Sequence, residues 1–199
     1  MQKKTETITP EAAFFNQLAA GWDATRAHNA TKLQSLVARL QLAPADTVLD
    51  LGSGTGVLLP YLAPQAKAVT AVDFAAQMLA VAQAKYGHFS NVSYQVADVL
   101  SLTSDQQYRQ IVCLNFYPHL QDKSRFFALM YDLLLSGGQL TIMHDISRAT
   151  VNGIHGSCPA VAEDRLRPVN VEAQLATKAG FSVLQTQDDA EAYFLQLRK

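Results

Sequence analysis

The chain has 199 residues, of which 49% are hydrophobic and 17% charged, so we expect one domain with a packed core rather than a disordered chain. Its net charge of −1 at pH 7, without a long basic run, argues against a strong electrostatic attraction to nucleic acid. No apolar stretch approaches the roughly 18 residues of a membrane span, and the two cysteines form no paired motif, so we expect a reduced, cytoplasmic location.

The N-terminal part is predicted to be helical after a loose polar tail at residues 1–10. Apolar residues recur at helical spacing from Glu11 onward and predict an amphipathic helix of about three turns. They are Phe14, Phe15, Leu18, Ala19 and Trp22. A second helix is predicted for residues 32–42, with Thr31 as its N-cap and Pro44 after its end.

A buried strand at residues 47–50 leads into the sequence VLDLGSGTG, residues 48–56. The glycines of this loop lie at alternate positions, namely Gly52, Gly54 and Gly56. Dinucleotide-binding loops have the spacing G-x-G-x-x-G and hold a pyrophosphate, which Asp50 would repel. The spacing G-x-G-x-G with this acid favours a cationic or amine-bearing ligand instead. Two prolines predict that the following helix is short.

Two further strands are each predicted to end in an acid. Residues 68–72 form an apolar strand that ends at Asp73, and a helix then reaches about Tyr86. A carboxylate at this point can accept hydrogen bonds from both hydroxyls of a ribose. The strand at residues 92–96 precedes Asp98, which either accepts a hydrogen bond from an exocyclic amine of a ligand or lies in a solvent-facing turn.

The second half of the chain continues the alternation of strands and helices. The further elements are strands at residues 109–115, 139–143, 181–186 and 193–197, and helices at residues 122–135 and 169–179. Residues 146–167 have no sustained period, and so long a connection is uncommon unless it is functional or disordered. We interpret them as a lid or a substrate-recognition insert with room for a short helix.

Several of these motifs resemble one family. VLDLGSGTG resembles motif I of the class I S-adenosylmethionine-dependent methyltransferases, AVDFAAQML their second motif, and LLSGGQLTIMHD their strand after a glycine pair. The resemblance implies a doubly wound α/β fold (Rossmann-like), with a seven-stranded, mostly parallel sheet and a C-terminal antiparallel strand. It also implies one domain over residues 1–199, with residues 11–42 as a helical lid and residues 146–167 as a substrate-side insert.

The resemblance further implies S-adenosyl-L-methionine as the cofactor. In the family, the glycine loop packs against the methionine part of the cofactor, the second-strand acid binds the ribose, and the acid after the third strand binds the adenine amino group. The cofactor-binding residues implied for this chain are Asp50, Gly52, Ser53, Gly54, Gly56, Asp73, Phe74, Met78, Asp98, Val99 and Asn115.

Three histidines are candidates for a general base, because histidine titrates near neutral pH and all three follow strand ends or lie in the insert. We rank His144 first and His119 second, and His155 is the third candidate. With Asp145 and Cys158 the same histidines form an alternative metal cluster. Their spacing matches no strong metal motif, so no metal is predicted.

The leading functional hypothesis is methyl transfer to O, N or C of a small metabolite. The alternatives are methylation of RNA or protein, a regulatory module that binds the cofactor without turnover and, as a minor alternative, a metal-assisted enzyme or one with a metallated substrate. Asn115 begins NFYP, which departs from the Asn-Pro-Pro-aromatic motif of enzymes that methylate amines of bases. We therefore expect a small-molecule acceptor, with no nucleic-acid or membrane partner, and a homodimer stays compatible with the sequence.

Overall fold

A computed structural model describes residues 10–103 and 106–199, which form a seven-stranded sheet with helices around it. The strands are β1 (Thr47–Leu51), β2 (Ala68–Asp73), β3 (Val92–Val96), β4 (Tyr108–Leu114), β5 (Leu134–His144), β6 (Ser182–Asp188) and β7 (Tyr193–Arg198). The tail predicted for residues 1–10 lies, except for Pro10, outside the described residues.

The strand order is β3-β2-β1-β4-β5-β7-β6. The five strands from β3 to β5 run parallel, whereas β7 pairs antiparallel with both β5 and β6. The predicted doubly wound α/β fold with an antiparallel C-terminal strand is therefore confirmed. Because β1 and β4 are neighbours, the strand order reverses between them, and open sheets of this kind bind ligands beyond the carboxyl ends of these strands.

Eight helices are present among the described residues. They are α1 (Pro10–Leu18), α2 (Trp22–Thr25), α3 (Ala30–Ala38), α4 (Leu59–Leu62), α5 (Ala76–Tyr86), α6 (Lys123–Leu133), α7 (Arg148–Gly156) and α8 (Val169–Lys178). Within the same residues, no helix is long and apolar enough to cross a membrane. The short α4 agrees with the prediction from its prolines.

Both faces of the sheet are covered, so its central strands are buried on both sides. In β1, Val48 packs into the core on one face, while Leu49 and Leu51 pack into the core on the other. Continuous apolar strands of this type are typical of parallel sheets between helical layers. The two cores fix the strand ends, and therefore the side chains that follow them.

The N-terminal helices differ from the prediction in their bounds. The first helix is not continuous over three turns, since α1 and α2 are separated by a 3-10 turn at Ala19–Gly21. The N-cap of α3 is not Thr31, because the Asn29 side chain accepts a hydrogen bond from the Lys32 amide. This helix also ends at Ala38 rather than residue 42, and Gln41 then adopts a φ of 52°.

The structure defines the helix of the insert and corrects the α6–β5 connection. Residues 146–167 were interpreted as an insert with room for a short helix, and they contain the nine-residue α7. Ser147 caps this helix by accepting a hydrogen bond from the Thr150 amide. Two glycines and β-branched residues lower the intrinsic helix propensity of this stretch, so its packing and cap decide its conformation. The helix predicted to reach residue 135 ends at Leu133, where β5 begins directly.

Candidate functional site

A cavity of about 380 Å³ lies at the carboxyl ends of β1, β2, β4 and β5. Its lining comes from the N-terminal helical segment, the glycine loop, the end of β2, the turns after β4 and β5, and α7 with the turn that follows it. The predicted lid and the predicted insert therefore both contribute to one cavity with the strand ends. Its volume lies within the range of about 300–1,000 Å³ that is usual for small-molecule sites.

The glycine loop contributes backbone rather than side chains to the cavity wall. Gly52 and Gly54 adopt positive φ angles of 63° and 56°, which L-residues with side chains rarely adopt. A Cβ at Gly54 would face open space, whereas a Cβ at Gly52 would lie 2.3 Å from Cγ of Phe116. Gly54 thus leaves room for a ligand beside the backbone, and Gly52 leaves room for the Phe116 ring.

Asp73 connects the end of β2 to this loop. Its Oδ2 accepts a hydrogen bond from the Gly54 amide at 2.9 Å, and its Oδ1 accepts one from the Ala75 amide at 2.8 Å. Burial raises the pKa of the carboxyl, and these amides act against the rise. Each oxygen retains a further lone pair toward the cavity that Asp73 lines. The group can therefore accept two neighbouring hydroxyls.

Two buried polar groups near the loop make no hydrogen bond of normal geometry to another described residue, although the Ser53 hydroxyl still acts to lower the pKa of the Asp50 carboxyl. They are Oδ2 of Asp50 and the hydroxyl of Ser53. Ser53 lines the cavity, whereas Asp50 lies below it, where burial raises the pKa of its carboxyl to about 7. Buried groups without partners are costly, so they indicate a site that a polar ligand completes.

The other predicted cofactor residues divide into two groups. Phe74 and Met78 line the cavity, as Asn115 does. Gly56 does not, and Val99 is buried in the core at the start of a 3-10 turn. The exposed Asp98 also lies outside the cavity lining, because its carboxylate accepts a hydrogen bond from the Leu100 amide and caps that turn.

The N-terminal segment is attached to the cavity wall by side-chain hydrogen bonds. Asp23 in α2 accepts a hydrogen bond from the Thr55 hydroxyl at 2.5 Å and pairs with Lys85 at 2.6 Å. Asn16 in α1 accepts a hydrogen bond from the Gln77 amide at the start of α5. The segment therefore covers the glycine loop and the end of β2.

His144, the first-ranked base, is fully buried at the end of β5. Its ring contacts Tyr193 edge-on at a centroid distance of 5.9 Å, and its Nε2 has no partner among the described residues. Burial lowers the pKa of His144 to about 3, against the opposing charge of Asp145. An efficient general base has a pKa near the working pH. This environment disfavours His144 as the base.

His119 and His155 lie together on the insert side of the cavity. Their rings are 4.9 Å apart, and both interact with Asp164. The His119 Nδ1 is 2.6 Å from the Asp164 carboxylate, and the His155 Nδ1 donates to the Asp164 carbonyl. Burial lowers the pKa of His155. The structure thus brings together two of the three predicted histidines, with an acid that the sequence did not single out.

A fourth histidine, His28, was missed by the sequence analysis. It lies between α2 and α3 and lines the cavity, and its Nδ1 is 2.8 Å from Oδ2 of Asp145. The other oxygen of Asp145 accepts a hydrogen bond from the Asn115 side chain, also at 2.8 Å. The pair joins residues 117 positions apart, so no local pattern could have revealed it.

Asn115 holds an unusual conformation at the end of β4. It is one of two non-glycine residues in the described chain with a positive φ, and the value is 54°. Its Oδ1 is buried without a partner among the described residues. Backbone strain of this kind is concentrated at functional sites, where the surrounding structure maintains it.

The alternative metal cluster is not assembled in the described part of the chain. Within residues 10–103 and 106–199, no group of three or more His, Cys, Asp or Glu side chains is arranged to hold a metal ion. Cys158, which belonged to the hypothetical cluster, is a half-buried free cysteine that lines the cavity.

Comparisons with known proteins agree with this geometry. A family model described as a methyltransferase domain matches residues 48–138, the part that contains the glycine loop, Asp73 and Asn115. The matched part of the chain, residues 48–138, is similar to a methyltransferase domain, and this agrees with the methyltransferase resemblance predicted from the loop and strand-end motifs.

Curated relatives are methyltransferases of greater length. The Ubiquinone biosynthesis O-methyltransferase of Xanthomonas oryzae pv. oryzae is 33% identical over 129 residues, which are 60% of this chain and 53% of the relative. The Malonyl-[acyl-carrier protein] O-methyltransferase of Bacillus cytotoxicus is 30% identical over 152 residues, 74% of this chain and 52% of the relative. The chain spans about half the length of these curated relatives.

Solved structures share the fold over nearly the whole chain. The N-methyltransferase NodS from Bradyrhizobium japonicum, in complex with S-adenosyl-L-homocysteine, has a TM-score of 0.76 at 17% identity and covers 96% of this chain and 99% of its own. A DhpI–SAH complex has a TM-score of 0.75 at 21% identity, with 94% of both chains covered. At these identities the likeness shows the fold alone.

Proposed function

We propose that the chain is an enzyme that binds S-adenosyl-L-methionine and transfers its methyl group to a small-molecule acceptor. The observation that carries the proposal is Asp73, a buried carboxylate whose two oxygens are fixed by the Gly54 and Ala75 amides at the wall of the cavity. The two curated relatives described above are O-methyltransferases by name, which supports methyl transfer to oxygen.

The residues present fit the cofactor. Asp73 would bind the ribose hydroxyls, with the apolar side chains of Phe74 and Met78 beside the adenosine. The open space at Gly54 and the unpaired Ser53 hydroxyl suit the methionine part. We refer to these five residues as the cofactor side of the cavity.

The bound cofactor would supply a methyl group that its sulfonium already activates. The tasks left to the chain are to bind both molecules in line, which alone can contribute about 7–11 kcal/mol, and to exclude water. The N-terminal segment and α7 supply apolar side chains over the cavity for this purpose, among them Phe15, Trp22 and Ile154. The volume of the cavity, about 380 Å³, supports a small acceptor rather than a folded protein or RNA.

Calorimetric titration with S-adenosylhomocysteine tests cofactor binding. We expect Asp73→Asn to weaken the affinity by about 10- to 100-fold, because hydrogen bonds to a charged group contribute about 1.5–3 kcal/mol. Asp132→Asn, an exposed aspartate that does not line the cavity, is the matched control. Thermal unfolding of both variants verifies folding. Equal affinities for the two variants, or tight binding of NAD instead, would contradict the proposal.

Incubation with methyl-labelled S-adenosylmethionine tests turnover. The acceptors are a mixture of phenols, alcohols, carboxylic acids and amines, with total RNA and denatured protein in parallel. We expect label in the small-molecule fraction. Binding without transfer to any fraction would support a regulatory module instead, and label only in RNA or protein would contradict a small acceptor.

A further inference from the structure

We propose that His28 is the general base of this methyl transfer, positioned by Asp145 and Asn115, and that the acceptor is a hydroxyl compound, either a phenol or an alcohol. The inference rests on the function proposed above and names a catalytic residue and an acceptor class for the same cavity. Asp145 and Asn115 act through His28 and are positioning residues. We call these three residues the acceptor side of the cavity.

The hydrogen bonds define which nitrogen of His28 is available. Burial raises the pKa of the Asp145 carboxyl, but the hydrogen bonds from His28 and Asn115 outweigh this and leave the pKa below its ordinary value. The ionised carboxylate can only accept, so Nδ1 of His28 carries the hydrogen in their 2.8 Å contact. In the neutral ring Nε2 is then unprotonated, and it has no hydrogen-bond partner among the described residues.

The sheet order places this pair near the methyl end of the cofactor. Asp73 ends β2, the glycine loop follows β1, and Asn115 and Asp145 follow β4 and β5. Since the order is β2-β1-β4-β5, a ligand with its ribose at Asp73 and its methionine part at the loop extends toward β4 and β5. His28 lines the cavity at this end and is 21% exposed, so an acceptor can reach it.

His119 is the closest rival, because its Nδ1 also contacts a carboxylate. Its ring, however, lies 5.5 Å from Phe15, which lies 5.7 Å from Phe74, the residue after Asp73. The charge of His119 also acts on the pKa of Asp73. His119 therefore contacts Phe15 and the insert rather than Asp145, although its charge also acts on the pKa of His144.

The proton balance shows why a base at this position suits a hydroxyl acceptor, which the O-methyltransferase relatives favour over an amine. The hydroxyl proton passes to Nε2 of His28 while the oxygen bonds to the methyl carbon, and the carbon–sulfur bond breaks with its electron pair left on sulfur. The imidazolium then releases its proton to water. A carboxylate is already ionised at pH 7 and needs no base, whereas a phenol or alcohol keeps its proton until the reaction.

Several charged and titratable groups surround His28. Asp145 and the neighbouring His144 come from β5, and Asp23 comes from α2, where the charge of His28 acts on its pKa. Arg26 precedes His28 on the same segment, and its guanidinium lies 5.2 Å from the Trp22 ring centre. A pH profile of the rate would report on all of these groups together. The test therefore compares two acceptors at one pH.

The test compares two acceptors of similar shape, catechol and 4-nitrocatechol, whose nitro group lets it ionise near neutral pH. At pH 8 we expect His28→Gln to lower kcat/KM for catechol by about 100-fold, because general bases contribute about 10²–10⁴-fold. The loss for 4-nitrocatechol is expected to stay below about fivefold. S-adenosylhomocysteine affinity is expected to be unchanged. His88→Gln, an exposed histidine that does not line the cavity, is the control and retains full activity.

Equal losses for the two catechols would overturn the base assignment, since a misplaced acceptor loses rate regardless of its proton. If the wild-type protein binds S-adenosylhomocysteine and methylates carboxylates or amines but no hydroxyl compound of the mixture, the acceptor class is overturned while the proposed function stands. No binding or no transfer at all overturns the proposed function itself.

A second readout needs no turnover. Nitrogen-15 NMR of labelled histidines distinguishes the two neutral tautomers, and we expect the Nδ1–H form for His28 in the wild type. Asp145→Asn removes the anionic acceptor and should shift His28 toward the Nε2–H form. It should also lower the catechol rate more than the 4-nitrocatechol rate. An Nε2–H tautomer in the wild-type protein would contradict the proposal.

Discussion

The cofactor side and the acceptor side of the cavity are built differently. On the cofactor side, Asp73 is fixed by backbone amides that lie 19 and 2 residues away in the chain. On the acceptor side, side chains hold one another across 117 and 30 residues, as in the contacts of Asp145 with His28 and Asn115. Backbone contacts tolerate changes of neighbouring side chains, whereas the acceptor side depends on side-chain identity. One cofactor site can therefore be combined with different acceptor sites.

The largest expected effect concerns a buried carboxylate that joins α8 to the turn after β4. Glu172 is fully buried, and it accepts hydrogen bonds from the Tyr117 hydroxyl and from two nitrogens of Arg167. Glu172→Ala should lower the free energy of unfolding by about 3–5 kcal/mol, because it leaves these groups without their partner. Urea denaturation measures the change. The exposed Glu191→Ala is the control, with an expected change of about 0.5 kcal/mol or less. Similar losses for both variants would refute the role of Glu172.

Next in size is a pair of opposite pH dependences. In the folded state the carboxyl of Asp50, below the glycine loop, has a pKa of about 7 and stays protonated up to about that pH. Its contribution to stability therefore falls as pH rises from about 4 to 7. In the folded state the imidazole of His144, beside Asp145, has a pKa of about 3 and stays neutral down to about that pH. Its contribution to stability is therefore lost as pH falls from about 6.5 to 3. The two effects oppose each other in the wild type.

Single variants should separate these two effects. Between pH 4 and 6.5, the stability of Asp50→Asn is expected to rise with pH, and that of His144→Gln to fall with pH. One proton corresponds to about 1.4 kcal/mol per pH unit, which is the upper limit of each slope. Urea denaturation across this range measures the slopes. Variants that keep the wild-type pH dependence would contradict both burial effects.

A smaller effect distinguishes two glycines of the glycine loop, of which Gly54 belongs to the cofactor side. Gly52→Ala and Gly54→Ala share the cost of a left-handed residue, about 1–2 kcal/mol. Gly52→Ala also places a methyl group against Phe116, so it should lower the free energy of unfolding further. Gly54→Ala extends into open space and should mainly weaken S-adenosylhomocysteine binding. The additional loss of unfolding free energy caused by Gly52→Ala should disappear when Phe116 is also replaced, in the double variant Gly52→Ala/Phe116→Ala. If the additional loss persists, the predicted clash with Phe116 is wrong.

The smallest effect concerns Asp98. Its carboxylate caps the turn at Leu100 and does not line the cavity, and asparagine caps a turn about as well as aspartate. We therefore expect Asp98→Asn to change the S-adenosylhomocysteine affinity by less than about threefold, far less than Asp73→Asn. Calorimetry of both variants checks this. A loss equal to that of Asp73→Asn would mean that the bound state brings Asp98 into contact with the ligand, as the family resemblance implies.

Most of the fold could be predicted because its signals are local. Within one continuous stretch, the apolar runs of β1 and β2 are each followed by an acid, and glycines lie at alternate positions between them. This pattern indicated the order strand, loop, strand. Element ends were less predictable, since caps such as Asn29 and Ser147 depend on the conformation that packing selects. The bounds of α7 could not be predicted for the same reason, because its residues have little intrinsic helix preference.

Local sequence was enough to predict the methyltransferase resemblance, the sheet and the positions of the glycine loop and Asp73, because adjacent residues on a strand and its loop must also be adjacent in space. Which ionisable groups meet depends on the folded chain. Folding buries His144 away from water and joins His28 to Asp145 across 117 residues. Burial and charge pairing set the proton chemistry of a side chain, and both depend on neighbours that are distant in the chain.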